Sequence, residues 1–436
     1  MALDPIALAG IGLACMFVLI LLHVPLGVAM GVAGVAGFAM LSGWKPAASL
    51  MASETASAFS NLDLATIPLF ILMGGFASAA GLSEDLYRIA YSLVGHRRGG
   101  LAAATIAGCA GFGAVCGSSI ATTATFGKVA LPSMLQRNYA PGFATGTISA
   151  GGTLGILVPP SVIMVIYAVL AQELIITLYL AAIVPALIAI ALHFAAIAIY
   201  VRMNPDAAPA GARMSLAERW RVLRSGWAVI ALIGIVLAGM SFGVFTATEA
   251  AAVGALLAFV FALARGKLTG IALRTTLMET ASTTGMIYVI IVGAALFGYF
   301  VEVSQAPRAI VAAIGDSGLA VPAILALMMV VYLVLGAIFD EVAVLVITLP
   351  FVLPLIKSWG YDPVWWGIIN VVIVELGMLI PPLGMNVFVI YSIAKKVPLT
   401  DIYRGVTPYI FSNLVRLACL LAFPMLVLWL PKLVKG

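Results

Sequence analysis

Apolar stretches long enough to cross a hydrocarbon core of about 30 Å recur along this chain from one end to the other. Such a core supplies no water to the backbone, so each spanning segment must satisfy its own N–H and C=O groups. Continuous apolar runs of this length therefore predict helices, at about 6–22, 26–42, 62–80, 142–170, 175–200, 226–240, 247–264, 283–303, 364–394 and 408–431. Composition agrees: 64% of the 436 residues are hydrophobic and only 9% are charged. A soluble domain carries roughly 25% charged residues, so this chain cannot cover a water-facing surface. The longest polar segment is about 203–225, which leaves no room for a separate soluble domain. The run 6–22 lacks a basic leader and is followed at once by more apolar sequence, which makes it a spanning helix and not a cleaved signal.

Two further apolar stretches, 100–135 and 319–356, are broken midway by small or polar residues and end in Leu-Pro. They predict re-entrant hairpins, because irregular backbone at membrane depth is tolerated only inside protein or against a cavity. Basic residues then orient the chain. If 82–99, 136–141, 201–225, 265–275 and 395–407 lie in the cytoplasm with Lys128, that side holds 16 of the 22 Lys and Arg. The other six are Lys45, Arg308, Lys357, Arg416, Lys432 and Lys435. Positive residues collect inside, so both termini are expected outside and the two hairpins enter from opposite faces. The net charge of +5 belongs to these loops and does not call for nucleic acid.

The chain also matches itself at an offset of 222. That shift carries Pro132 to Pro354, Pro159 to Pro381, Pro160 to Pro382, Gly155 to Gly377, Leu131 to Leu353, Leu157 to Leu379 and Ala121 to Ala343. With only 22 prolines in the chain, three coincident pairs mark a repeat. Each unit is a hairpin followed by a span broken at Gly-x-Leu-x-Pro-Pro, and opposite entry makes the units inverted repeats. The expected fold is an all-α membrane bundle of two such units. The first covers about 62–200 (hairpin 100–135, broken helix 142–170). The second covers about 283–431 (hairpin 319–356, broken helix 364–394), and scaffold helices lie at about 201–275 between them.

The breaks are the candidate sites. A mid-helix proline removes a hydrogen bond and clashes with the carbonyl one turn back, at about 3 kcal/mol or more. Freed carbonyls suit a cation, while half-helix N-termini suit an anion. One sodium site is expected from Gly117, Ser118 and Ser119 with Gly152, Thr153 and Pro159. A second is expected from Asp340, which replaces Ser118 under the shift, with Gly377, Met378 and Pro381. Thr122, Thr123 and Asn386 are placed toward substrate. Against these stands the plainer possibility that Pro-Pro only kinks a helix and Ser bonds its own backbone; two units at one offset weigh against it. Thr246 and Glu249 have the pattern of a helix cap, Asn61 and Asp63 are interfacial, Arg416 snorkels or pairs, and Glu375 and Asn370 stay open. Cys15, Cys109, Cys116 and Cys419 have no redox or metal spacing, and His23, His96 and His193 form no catalytic motif. No GxxxxGK[ST] occurs, so an ion gradient is the expected power source and no cofactor is called for.

Several segments in this order resemble the large membrane subunit of tripartite ATP-independent periplasmic (TRAP) transporters, of the C4-dicarboxylate permease type. They are NLDLATIPLFILMGG (61–75), GSSIATTATFGKVALPSM (117–134), GGTLGILVPPS (151–161), GVFTATEAAAVGA (243–255), FDEVAVLVITLPFVLPL (339–355) and LGMLIPPLGMNVFV (376–389). Cys116 and Glu341 depart from the commonest hairpin patterns. The resemblance implies a bacterial inner-membrane symporter that imports an organic acid with sodium by an elevator motion. It also implies a separate small four-helix membrane subunit, since the chain starts at its first span, and a periplasmic solute-binding protein that delivers the substrate. Family ion sites fall around Ser118, Gly152–Pro159, Asp340 and Gly377–Pro381. A stand-alone ion-coupled carboxylate transporter or antiporter is the nearest alternative, followed by a passive channel; a membrane enzyme lacks its catalytic groupings.

Overall fold

A computed structural model describes residues 4–316 and 318–435. Among them there is no strand, and the chain folds as a bundle of helices, as an apolar sequence that must bond its own backbone requires. Among the described residues seven helices are long and apolar enough to cross a membrane, counting the interrupted helix 141–171 as one; two bent pairs raise the total to nine. The protein is therefore a multi-pass membrane bundle.

The first hairpin is Gly100–Cys116 followed by Ser119–Gln136, turning at Gly117-Ser118. The second is Val321–Ile338 followed by Glu341–Ser358, turning at Phe339-Asp340. Each is followed by a discontinuous helix. Pro141–Leu157 and Val162–Ala171 flank the first break, and Pro363–Gly377 and Met385–Ile393 flank the second. The Pro159–Pro160 and Pro381–Pro382 peptide bonds are both cis. Within each unit the first hairpin arm meets the first half-helix at glycine. A methyl group on Gly113 would lie 2.7 Å from the Gly155 Cα, and one on Gly377 would lie 2.7 Å from the Gly336 Cα. The second half-helices cross over: Met385–Ile393 packs on Ser119–Gln136, and Val162–Ala171 packs on Glu341–Ser358. Each break is thus walled by both repeats.

Elsewhere the structure departs from the sequence expectation. Trp44–Ser60, left without an element, is a helix lying against Leu26–Ser42 and Gly270–Val303, with Phe59 5.2 Å from Tyr288. Its alanines favour helix, while Lys45, Glu54 and several Ser and Thr interrupt the apolar run that would have revealed it. The span expected at 283–303 begins at Gly270, capped by Thr269, and runs 34 residues. At 1.5 Å per residue that is about 51 Å, so its polar first turns extend beyond the hydrocarbon. Residues 82–99 contain the helix Leu82–Val94, bent by 68° from Thr66–Ala79. The span expected at 408–431 is two helices, Leu399–Ala422 and Met425–Lys435, parted at Phe423-Pro424 because proline cannot continue the first.

One sequence-level assignment of polar residues matches local geometry. Thr246 and Glu249 form a reciprocal capping box at the start of Ala247–Ala264. The Asn61 side chain accepts from the Asp63 amide in a turn at the mouth of its helix.

Candidate functional site

Gly117 ends the first hairpin arm in the left-handed region, at φ +63°, where glycine is unstrained. Ser118 then caps the second arm, its Oγ accepting from Ala121 N at 3.4 Å. The turn presses directly on the proline break: a methyl group on Gly117 would stand 3.2 Å from the Pro160 carbonyl oxygen and 3.3 Å from Val162 N. The break holds itself partly closed, with Ser161 Oγ donating to Ile156 O at 2.6 Å and Tyr179 Oη to Ser161 O at 3.3 Å. Among the described residues nothing donates to the carbonyls of Val158, Pro159 or Pro160. Residues 159–161 are buried, so these oxygens lack easy access to water.

Beside the break lies a cluster of neutral oxygens. Gly152 and Gly155, one helical turn apart, face the second hairpin arm. A methyl group on Gly152 would overlap the Thr123 hydroxyl, and one on Gly155 would sit 2.7 Å from both Thr122 Oγ1 and Ser118 O. Thr122 and Thr123 are fully buried, and neither hydroxyl has a hydrogen-bond partner. Asn386, from the second repeat, reaches into the same place. Its Nδ2 donates to Ser119 Oγ at 2.6 Å and to Ser149 O at 3.2 Å, while its buried Oδ1 has no partner. Of the residues expected at sites, Gly117, Ser118, Ser119, Thr122, Thr123, Gly152 and Asn386 come together here, with Pro159 in the adjoining break. Thr153 is buried next to them, but its hydroxyl bonds Ala150 O at 2.9 Å. A buried polar atom left unmatched costs about 1–3 kcal/mol, and three such oxygens stand here beside unbonded carbonyls.

The second unit is built alike but is more open. Asp340 is exposed and caps its helix, Oδ1 accepting from Ala343 N at 2.9 Å. The neighbouring Glu341 is the buried acid, and its Oε2 has no partner. Gly384, at φ +58°, turns the break so that its amide donates to Ala337 O near the hairpin tip at 3.2 Å. Asn386 N donates to Met378 O at 3.3 Å, and Tyr403 Oη donates to Leu383 O at 2.7 Å. Pro381, Pro382 and Leu383 are exposed, and nothing among the described residues donates to the Ile380 or Pro381 carbonyls. Asp340, Gly377, Met378 and Pro381 are thus strung along the tip and break instead of converging on one buried point.

Between the units lies a group that residue-by-residue reasoning left open. Glu375, the position that the 222 shift aligns with Thr153, is fully buried and ion-paired with fully buried Arg416 from Leu399–Ala422. One turn away, Ser412 Oγ lies 3.0 Å from His193 Nδ1. A lone Arg and a lone Glu in apolar runs were the available signal, since charges at that depth persist only when paired. Among the described residues no group of His, Cys, Asp and Glu could hold a transition metal.

Residues 13–426 match the family described as "Tripartite ATP-independent periplasmic transporter, DctM component". The chain belongs to this family. Its members are transporter components by that description, and curated relatives extend along nearly the whole chain. It is 35% identical to the C4-dicarboxylate TRAP transporter large permease protein DctM of Pseudomonas aeruginosa, over 84% of this chain and 86% of that one. It is 32% identical to the ectoine/5-hydroxyectoine TRAP transporter large permease protein UehC of Ruegeria pomeroyi, covering 95% and 96%. It is 31% identical to the sialic acid TRAP transporter large permease protein SiaM of Vibrio cholerae, covering 88% and 90%. In fold this TRAP permease is similar to the crystal structure of the Alcanivorax borkumensis YdaH transporter, described as having an unusual topology. The TM-score is 0.63 at 16% identity, over 88% of this chain and 90% of that one.

Proposed function

We propose that this TRAP large permease imports an organic acid by symport with sodium, receiving it from a periplasmic solute-binding protein and working with a separate small four-helix membrane subunit. The observation that carries the reading is the set of buried, unmatched neutral oxygens on Thr122, Thr123 and Asn386 beside the Val158–Pro160 carbonyls. An all-oxygen, uncharged donor set is chemistry for an alkali cation, and unwound carbonyls at a helix break are where transporters hold one. Ser118, Ser119 and Gly152 frame this first sodium site; for a second, Gly377, Met378 and Pro381 at the break and Asp340 at the tip would have to be drawn together around the ion.

The N-termini of Ser119–Gln136 and Val162–Ala171 meet at the Gly117–Val162 contact. Two converging positive helix ends favour a carboxylate there. Relatives named for C4-dicarboxylate and for sialic acid support an acid as cargo. Thr122, Thr123 and Asn386 stand where cation and carboxylate would share partners, which couples their binding.

In this reading the chain lies in the bacterial inner membrane with both termini periplasmic, as the 16-to-6 distribution of basic residues favours. The hairpin units, about 62–200 and 283–431, move as an elevator against a scaffold that includes 201–275. The test is uptake into proteoliposomes holding the permease and the small subunit, with the binding protein and a panel of labelled organic acids outside. Inward sodium should drive accumulation above equilibrium. Equal accumulation with potassium replacing sodium refutes the coupling, and equal uptake without the binding protein favours the stand-alone alternative.

A further inference from the structure

The segment 201–225 is more than a polar connection. It carries five arginines, Arg202, Arg213, Arg219, Arg221 and Arg224, against two acids, Asp206 and Glu218. Its helix Leu216–Ser225 starts in a capping box, with Glu218 accepting from Ser215 N at 2.7 Å, so one of the two acids is already committed. The helix then bends by 59° into the apolar helix Trp227–Ser241.

At 100° per residue, Leu216, Trp220 and Leu223 share one face, flanked by Arg219 and Arg224. In a soluble protein that apolar face would turn inward. Here Leu216 is 82% exposed and Trp220 71% exposed, Leu223 is half-buried, and the helix rests on Leu82–Val94. An outward apolar face bordered by arginines is the pattern of a helix lying in a membrane interface.

Two buried nitrogens in this region lack partners: the Arg219 Nε donor and His96 Nδ1. His96 adjoins Arg213, Arg219 and Arg97, and its imidazolium is disfavoured first by desolvation and then by those charges. Asp85, on the helix that this one rests on, is held by Arg265 at 2.6 Å. An anion is what this surface lacks.

We propose that Leu216–Ser225, with His96, Arg97 and Arg213, forms a binding site for the headgroup phosphate of an anionic phospholipid. Its acyl chains would lie along Leu216 and Trp220. The location matters mechanically, because the preceding loop is bonded to the base of the first hairpin. Gly99 N donates to Ala208 O at 3.1 Å, Gly211 N to Gly95 O at 3.0 Å, and Ala140 N to Ala207 O at 2.9 Å. A headgroup held here anchors both ends of that hairpin to the bilayer surface.

The test titrates the purified full-length permease in mixed micelles with dioleoyl phosphatidylglycerol or dioleoyl phosphatidylcholine, and counts retained lipid by native mass spectrometry. Phosphatidylglycerol should be retained and phosphatidylcholine not. The double variant Arg219→Gln, Arg224→Gln should bind phosphatidylglycerol about 25-fold more weakly, at about fivefold per arginine near a membrane surface. Trp220→Ser should also weaken phosphatidylglycerol retention, but less than the double variant does, since it removes only apolar contact. Equal retention of the two lipids by the wild type overturns the proposal. So does unchanged phosphatidylglycerol binding in the double variant, or an equal loss in the remote variant Arg308→Gln. Displacement of the lipid by millimolar inorganic phosphate would make this a soluble-anion site instead and also overturns it.

Discussion

Replacing Thr122 and Thr123 together by valine separates a ligand role from a structural one. In an ordinary buried threonine the hydroxyl makes a hydrogen bond, and deleting it lowers stability by about 0.5–1.5 kcal/mol while orphaning its partner. Here neither hydroxyl has a partner, and both are fully buried. Valine fills nearly the same space without the polar atom, so in sodium-free potassium buffer the double variant should unfold at the wild-type temperature or above it. Sodium changes the comparison. A cation that binds only the folded state adds RT ln(1 + [Na+]/Kd), about 1.4 kcal/mol at ten times Kd. Wild type should show that stabilisation as a sodium-dependent rise in melting temperature, and the variant should lose most of it. The assay is thermal unfolding of the detergent-solubilised permease in matched sodium and potassium chloride. Two results refute the reasoning: a variant that keeps the full sodium shift, or one destabilised in potassium as though a made hydrogen bond had been removed.

Other perturbations follow from the same coordinates. Asp340→Asn keeps a good capping side chain, so stability should stay within a few tenths of a kcal/mol while the sodium dependence of uptake weakens; Asp340→Ala should also lose about 1 kcal/mol of cap. Arg416→Met leaves Glu375 buried and unpaired, which should cost about 3–5 kcal/mol in thermal unfolding, and adding Glu375→Leu should recover much of it. Gly155→Ala forces a methyl group to within 2.7 Å of Ser118 O and Thr122 Oγ1, so about 1–3 kcal/mol of overpacking and a lost sodium response should appear together. Thr246→Ala should cost about 1 kcal/mol with sodium-dependent uptake unchanged, since it removes only a cap.

Much of the site was legible because membrane depth makes backbone chemistry loud. Proline pairs in apolar runs cannot be satisfied helix, so the breaks announced themselves, and the offset of 222 tied them into units. Thr122, Thr123 and Asn386 were found as polar residues near those breaks. Ser149 was not, because its carbonyl accepts from the Asn386 side chain and its hydroxyl donates to the Asn386 carbonyl only across the bundle, 237 positions away in the chain. Glu375 and Arg416 were each visible as a charge in hydrocarbon, but a separation of 41 positions along the chain hides that they are partners. The helix Trp44–Ser60 escaped notice because its mixed polarity resembles a loop when only apolar length is counted.

The sequence by itself determined the all-helical membrane class, the two hairpins, the two breaks and their relation, since each is a local demand on backbone hydrogen bonding or a recurrence along the chain. Tertiary structure decided which oxygens are left over. Asn386 could be placed against Ser119 and Ser149 of the first repeat only once Met385–Ile393 was packed on Ser119–Gln136. Asp340 proved exposed and Glu341 buried, although they are neighbours in sequence. Whether a polar group is spent or available depends on what faces it across the bundle, and that is a property of distance in space that no spacing along a chain encodes.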